Sequence, residues 1–357
     1  MNVINKTVFL VILLLLALFT GCSNQEDMAF QDFEIVTGES IDNLLYFQYV
    51  GNGQNVFYYY EDYEKMRNIE AEYFKYNNQH YGKDSSKVFP YVYVKDNNVL
   101  YLCEKDSKKY ITYNSKTYGQ DYDNIGFPMY ITDDNKVMYS LIIEKENNLR
   151  ESKIIKENEE IFSINTKLKE VEIENFVEYN NELYLLVSNK TISDERNNYK
   201  IINQDKEIML EFETKNPITI SPSGLEYLVR NNFSIPELNN FSNLDSLRVI
   251  DDYVYLMLDD EISDSREFIV LDLNNKIVKN KKYGINEDIF PLLYYKGHLY
   301  ENKFVQDNEE TKAVLLVDGK EFKDKFDNAP IIGVMNERVM IGIKNGNSLL
   351  LLTPKEF

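Results

Sequence analysis

Short runs of β-branched, aromatic and leucine residues recur along the chain from Phe30 onward, each cut off by a cluster of Asn, Asp or Gly. Apolar runs of this length between turn formers predict strands. The runs follow an order. A polar turn leading into an apolar-aromatic strand, as in Asp96-Asn97-Asn98-Val99-Leu100-Tyr101, stands at 53–57, 96–101, 134–139, 180–184, 223–227, 251–255, 296–300 and 336–340. The last residues of these segments are Phe57, Tyr101, Tyr139, Tyr184, Tyr227, Tyr255, Tyr300 and Met340, at successive intervals of 44, 38, 45, 43, 28, 45 and 40.

Six of those seven intervals are close to the length of one four-stranded β-propeller blade. Five of the eight prolines, Pro90, Pro128, Pro217, Pro291 and Pro330, stand 9–11 residues before an anchor. They are expected to open the preceding strand, the place where a missing N–H is tolerated. One period reads as strands Pro90–Val94, Val99–Cys103, Tyr110–Tyr113 and about Thr117–Gln120. The same order recurs at Phe290–Tyr295, Leu299–Val305, Ala313–Val317 and Lys320–Phe322. The expected fold is therefore an all-β propeller over residues 30–357, with seven blades, eight as the second reading, and two smaller β-domains as the structural alternative. The last apolar run, Ser348–Leu352, has no outer strand after it, so Phe30–Val36 or the adjacent Ile41–Val50 is expected to complete the last blade. A ring closed in this way limits exposed sheet edges.

Ser221-Pro222-Ser223-Gly224-Leu225-Glu226-Tyr227-Leu228 resembles the turn-strand of TolB-type and WD-like propeller repeats. That resemblance covers one repeat and implies a turn and strand there. The 28-residue interval that follows is too short for a full blade, Ser234–Leu244 reads as loop, and Glu61–Tyr76 reads as a short helix or an irregular outer strand.

Ahead of the repeats, the uncharged and mostly aliphatic stretch Val8–Phe19 runs into Thr20-Gly21-Cys22, with Lys6 before it. This resembles a bacterial lipoprotein signal peptide (residues 1–21) ending in a lipobox, with Phe19 where leucine is usual. The stretch suits a secretory h-region and is too short for the roughly 20 residues of a membrane span. An ordinary cleaved signal and an uncleaved anchor are the alternatives. The resemblance implies a thioether-linked diacylglycerol on Cys22, and two acyl chains anchor stably where one does not. Membrane attachment through this anchor, on the outer face, is then expected. Residues 22–29 form a tether, of which Ser23–Ala29 spans some 25 Å when extended.

Charge narrows the partners. The chain has 39 Lys+Arg and 59 Asp+Glu; without residues 1–21, which contain one lysine and no acid, 38 against 59 leaves −21. A field of that sign repels phosphate backbones, so nucleic acid is excluded as a partner, whereas protein, peptide and glycan ligands stay open. Only Cys22 and Cys103 are present, so the lipidated chain has no intramolecular disulfide, and Cys103 reads as a buried structural thiol. Twenty-eight Tyr, 20 Phe, no Trp and seven arginines among the 39 basic residues fit AT-rich coding and, with export, a Gram-positive source.

Catalytic motifs are missing: there is no P-loop, G-x-G-x-x-G, H-E-x-x-H or G-x-S-x-G. Two histidines, His80 and His298, are too few for a histidine-based zinc site, and no metal or cofactor is expected. In a propeller the loops entering each inner strand surround the channel mouth. Here they contain Asp121 and Asp123, Glu287 and Asp288, and Asp324 and Asp327. Asp121, Asp123, Asp288 and Asp327 are the candidate ligand-binding residues. The tyrosine-rich stretch 46–60 reads as core and sheet face rather than a sugar platform. The function expected is non-enzymatic binding or scaffolding. The alternative is a glycan hydrolase or lyase using a pair of Asp/Glu at the channel mouth.

Overall fold

Two-residue turns set the rhythm of the chain. Asn77-Asn78, Asp96-Asn97, Asp106-Ser107, Asn114-Ser115, Asn180-Asn181, Lys296-Gly297, Asp318-Gly319 and Asn336-Glu337 all carry positive φ at both positions. This is the conformation that joins twisted antiparallel strands most tightly, and Asn, Asp and Gly adopt it at least cost. The computed structural model describes residues 31–36, 44–52, 54–59, 71–120, 125–145, 149–167, 171–189, 196–235, 238, 241–260, 264–284, 287–307, 310–345 and 348–355. The expected signal peptide, lipidation site Cys22 and tether fall on residues 1–29, outside the described residues.

The strands form seven antiparallel blades in a propeller. The innermost strands are, in order, Leu44–Gly51, Lys87–Lys95, Ile125–Ile131, Val171–Tyr179, Leu244–Ile250, Ile289–Tyr295 and Ile331–Met335. Seven of the eight sequence anchors fall on the second strands of the blades; the eighth, Tyr227, lies on a helix, Pro222–Arg230. This corrects the turn-strand expected at Ser221–Leu228. Ser221 caps the helix by accepting the Gly224 N–H at 3.1 Å, and Pro222 opens its first turn. Leu225, Leu228 and Val229, spaced i, i+3 and i+4, are buried together. Leu225 and Tyr227 also alternate as a strand would, and that alternation produced the strand reading. Before the helix, Thr219–Ile220 adds a short parallel strand to the inner edge of blade 5. This insertion explains the irregular 28-residue interval.

Pro330 immediately precedes the innermost strand of blade 7, and three of the other prolines sit differently from expectation. Pro90, Pro128 and Pro291 lie inside innermost strands, at register shifts between Val88 and Val92, Gly126 and Met129, and Pro291 and Leu293. A bulge leaves a residue unpaired, so the absent N–H of Pro90 or Pro128 costs no ladder bond, whereas Pro291 borders its bulge and stands in register with Glu301. In the other irregular segment, Tyr73–Tyr76 is the third strand of blade 1, while residues 60–70 lie outside the described set.

Blade 7 consists of Ile331–Met335, Arg338–Asn345, Ser348–Pro354 and, outermost, Phe33–Ile35. Phe33 pairs with Pro354 and Ile35 with Leu352. Phe33 stacks on Phe322 (centroids 4.8 Å) and meets Phe326 edge-on at 5.6 Å, both on the outermost strand of blade 6. Asp32 accepts the Lys323 N–H, and Asp324 accepts those of Gln31 (3.0 Å) and Asp32 (2.8 Å). Of the two segments proposed to complete the last blade, the first does so; the second supplies the innermost strand of blade 1.

Where blade 7 meets blade 1, Gly333 and Gly342 let Phe47 approach the backbone. A Cβ on Gly333 would stand 2.2 Å from Asn55 Oδ1 and 2.8 Å from the Phe47 ring. Asn55 is fixed there by donating Nδ2–H to Val334 O, so it has little room to yield. Gly333→Ala is expected to destabilise the protein by about 1–3 kcal/mol, the usual range for overpacking, read as a lowered urea midpoint with unchanged slope.

Candidate functional site

The ends of the innermost strands surround a cavity of about 660 Å³ on the propeller axis. Blades 3 and 4 are screened from it by the inserted helix. That helix packs on the inner strands of blades 4 and 5. Asn175 of blade 4 donates to Ile220 O at 2.8 Å, and Tyr130 of blade 3 donates to Glu226 at 3.3 Å. Gly224 touches the backbone of Leu247, where a Cβ would come within 2.5 Å of the carbonyl oxygen. What remains open is bounded by Tyr49 and Val50, Tyr93 and Val94, Arg248 to Asp251, Leu292, Ile331 and Ile332, and by Ser221 and Ser223 at the start of the helix.

Among the described residues two charged side chains line this space, and they differ in how far they are used up. Asp251, in the turn after the inner strand of blade 5, accepts Tyr49 Oη–H at 2.8 Å on one oxygen and the Asn52 N–H on the other. Tyr49 and Asn52 belong to blade 1, so the tie crosses the axis between blades that are not neighbours in the ring. Gly51 takes φ +92° beside it, a conformation open to glycine with little strain. Arg248 is mostly buried. It donates one N–H to Leu292 O at 3.2 Å and lies over the Tyr255 ring at 5.3 Å. Burial pulls its pKa below the usual arginine range, yet a guanidinium stays protonated in proteins.

The predicted acids are elsewhere. Asp288 is exposed ahead of the inner strand of blade 6, and its carbonyl accepts the Phe304 N–H at 2.8 Å. Asp327 is exposed on the loop after the outermost strand of blade 6 and pairs with Lys312 at 2.6 Å. Neither borders the axial cavity. Asp121 and Asp123 lie outside the described residues. His298 is exposed and contacts Asp318 at 2.8 Å, whereas His80 packs edge-on against Tyr73. Cys103 is fully buried. Tyr58 and Tyr59 are core residues, while Tyr49 faces the cavity. Among the described residues, no group of three or more His, Cys, Asp or Glu is placed to hold a metal ion. Sequence reasoning missed Arg248, Asp251 and Tyr49, because their partners lie far away in the chain. The Ser-Pro helix start and the i, i+3, i+4 spacing were the signals that could have located the helix.

No protein-family model matches the chain, and no curated protein matches it in sequence. Among solved structures it is similar to the β-propeller domain of the Trilobed protease from Pyrococcus furiosus, at 13% identity and TM-score 0.36 over 75% of this chain and 82% of that one. It is also similar to a eukaryotic initiation factor, at 8% identity and TM-score 0.36 over 79% of each chain. An acylaminoacyl peptidase matches at 12% identity and TM-score 0.36 over 76% of this chain and 46% of that one.

Proposed function

We infer that the protein is a lipid-anchored, extracytoplasmic propeller that binds a ligand without transforming it. The observation that carries the binding reading is the composition of the axial cavity. Among the described residues it holds a single carboxylate, Asp251, with both oxygens already committed. Glycoside cleavage needs two carboxylates at a defined separation, one of them free to take up or deliver a proton. The rest of the lining mixes aliphatic side chains with Gln48, Tyr49, Tyr93, Ser221 and Ser223, and convergent polar groups beside apolar ones suit a binding pocket.

The anchor rests on Val8–Phe19 and Thr20-Gly21-Cys22. The fold begins within ten residues of that cysteine, with Gln31 and Asp32 tied to blade 6. A short tether would hold the propeller close to the bilayer. In a Gram-positive host the full-length protein is expected in the membrane fraction, and Cys22→Ala is expected to release it to the medium. Retention of Cys22→Ala in the membrane would overturn the anchor. Incubating the purified full-length protein with cell-wall glycans tests the second half. New reducing ends would establish the hydrolase instead, and their absence is the expected result.

A further inference from the structure

We propose that the axial cavity binds a carboxylate carried on an apolar stem, with Arg248 as its counter-charge. This rests on the reading of the cavity as a binding site and names the chemistry it accepts.

The other arginines with described ion pairs each meet an acid: Arg150 with Glu172, Arg230 with Glu226, Arg266 with Asp259 and Arg338 with Glu34. Arg196 is exposed to solvent. Arg248 faces the cavity, and among the described residues no carboxylate stands within 4 Å of it. In a chain with 59 acids, a mostly buried cation without one is unusual, since desolvating a charge is costly unless it is paired. Of its five N–H donors, one is used by Leu292 O. Asp251 shares the cavity and keeps its negative charge, but its oxygens accept from Tyr49 and Asn52 rather than from Arg248, so the guanidinium keeps donors to spare that no described carboxylate meets.

The rest of the lining agrees. The helix start at Ser221–Ser223 borders the same space, and the positive end of a helix dipole favours an anion. Val50, Val94, Leu292 and Ile332 are only partly buried because they face the opening. They present an apolar wall to whatever enters. A guanidinium matches a carboxylate in two parallel hydrogen bonds, and the wall suits the stem that carries it. Both the carboxyl terminus of an apolar peptide and a free small acid present this chemistry.

Titration calorimetry on the full-length protein in non-ionic detergent tests the proposal with two matched pairs. One pair is N-acetyl-Leu-Val-Val as the free acid and as its terminal amide. The other is 4-phenylbutyrate and 4-phenylbutanamide. At least one acid is expected to bind about 10- to 100-fold more tightly than its amide, the range expected for a charge-assisted hydrogen bond. The responding pair identifies the source of the carboxylate. Arg248→Gln is expected to remove the difference between acid and amide, and Arg248→Lys to retain part of it. If Arg248→Gln does not fold, the acid–amide comparison on the unaltered protein still decides. Equal affinity of acid and amide in both pairs, or no binding of any probe, would overturn the proposal. Appearance of reducing ends in the glycan assay would instead overturn the binding reading beneath it, so the two failures are distinct.

Discussion

Phe33→Ala is expected to destabilise the protein by about 3–5 kcal/mol, the usual cost of truncating a buried phenylalanine. Phe33 is 2% exposed. It belongs to the outermost strand of blade 7, a strand of only three residues. Its ring reaches Phe322 and Phe326 on the next blade, so one side chain fastens a strand and a blade interface at once. Ladder bonds from so short a strand contribute little by themselves, since a typical hydrogen bond is worth about 0.5–1.5 kcal/mol net. Against a total stability of about 5–15 kcal/mol, the loss is a large fraction. Urea unfolding read by tyrosine fluorescence would measure it. Hydrogen exchange would also show faster exchange at the Val36 and Lys355 amides, which bond across this seam. A change below about 1 kcal/mol would mean that the ring holds without the amino-terminal strand.

The second large effect is expected at Glu301, which is fully buried between blades 5 and 6. Its carboxylate accepts Lys281 Nζ–H at 2.6 and 2.8 Å and Tyr283 Oη–H at 2.6 Å, both from the outermost strand of blade 5. Burial and the neighbouring carboxylate push the Tyr283 phenol well above its usual range. Removing one partner of a buried pair costs about 3–5 kcal/mol. Lys281 is 30% exposed and can turn to water, so Glu301→Ala is placed at the lower end of that range, about 3 kcal/mol. Replacing the whole group, as Glu301→Leu with Lys281→Met and Tyr283→Phe, is expected to recover most of the loss, because no polar atom is then stranded. If the triple variant is no more stable than Glu301→Ala, the loss comes from packing and the ion pair has no special part in it.

Much of the architecture is legible in the chain because a propeller repeats a local decision. Asn, Asp or Gly in a two-residue turn, followed by an apolar strand, is written at nearly every blade and needs no distant partner to be decoded. The closing strand is legible from the repeat: Phe33–Ile35 stands ahead of the first blade without a hairpin partner, and blade 7 takes it as its fourth strand. The helix Pro222–Arg230 is ambiguous, since nine residues satisfy both periods in part. Its packing against blades 4 and 5, rather than its own spacing, decides the matter. The axial site is hidden for a different reason. Tyr49 and Asp251 are 202 positions apart, and nothing near either residue marks the other. Acids in loops are easily seen but say little, because whether Asp327 meets a ligand or Lys312 depends on a residue on the third strand of blade 6, Glu310–Val317.

The seam of blade 7 also fixes an order of events. Phe33 and Pro354 are neighbours in one sheet and 321 positions apart (354 − 33) in the chain. A polypeptide made from its amino terminus delivers the strand Phe33–Ile35 long before its partner Ser348–Pro354. For the whole interval that strand waits as an unpaired edge, with its phenylalanine exposed. The final join closes a loop of 321 positions (354 − 33), at an entropic cost that grows only slowly with length, so delay rather than free energy is the hazard. An edge held open for that time can be filled by the same strand of a second copy, giving exchanged dimers. Attaching the nascent amino terminus to the membrane during that interval would confine the strand's search and keep it near its own carboxyl-terminal partner.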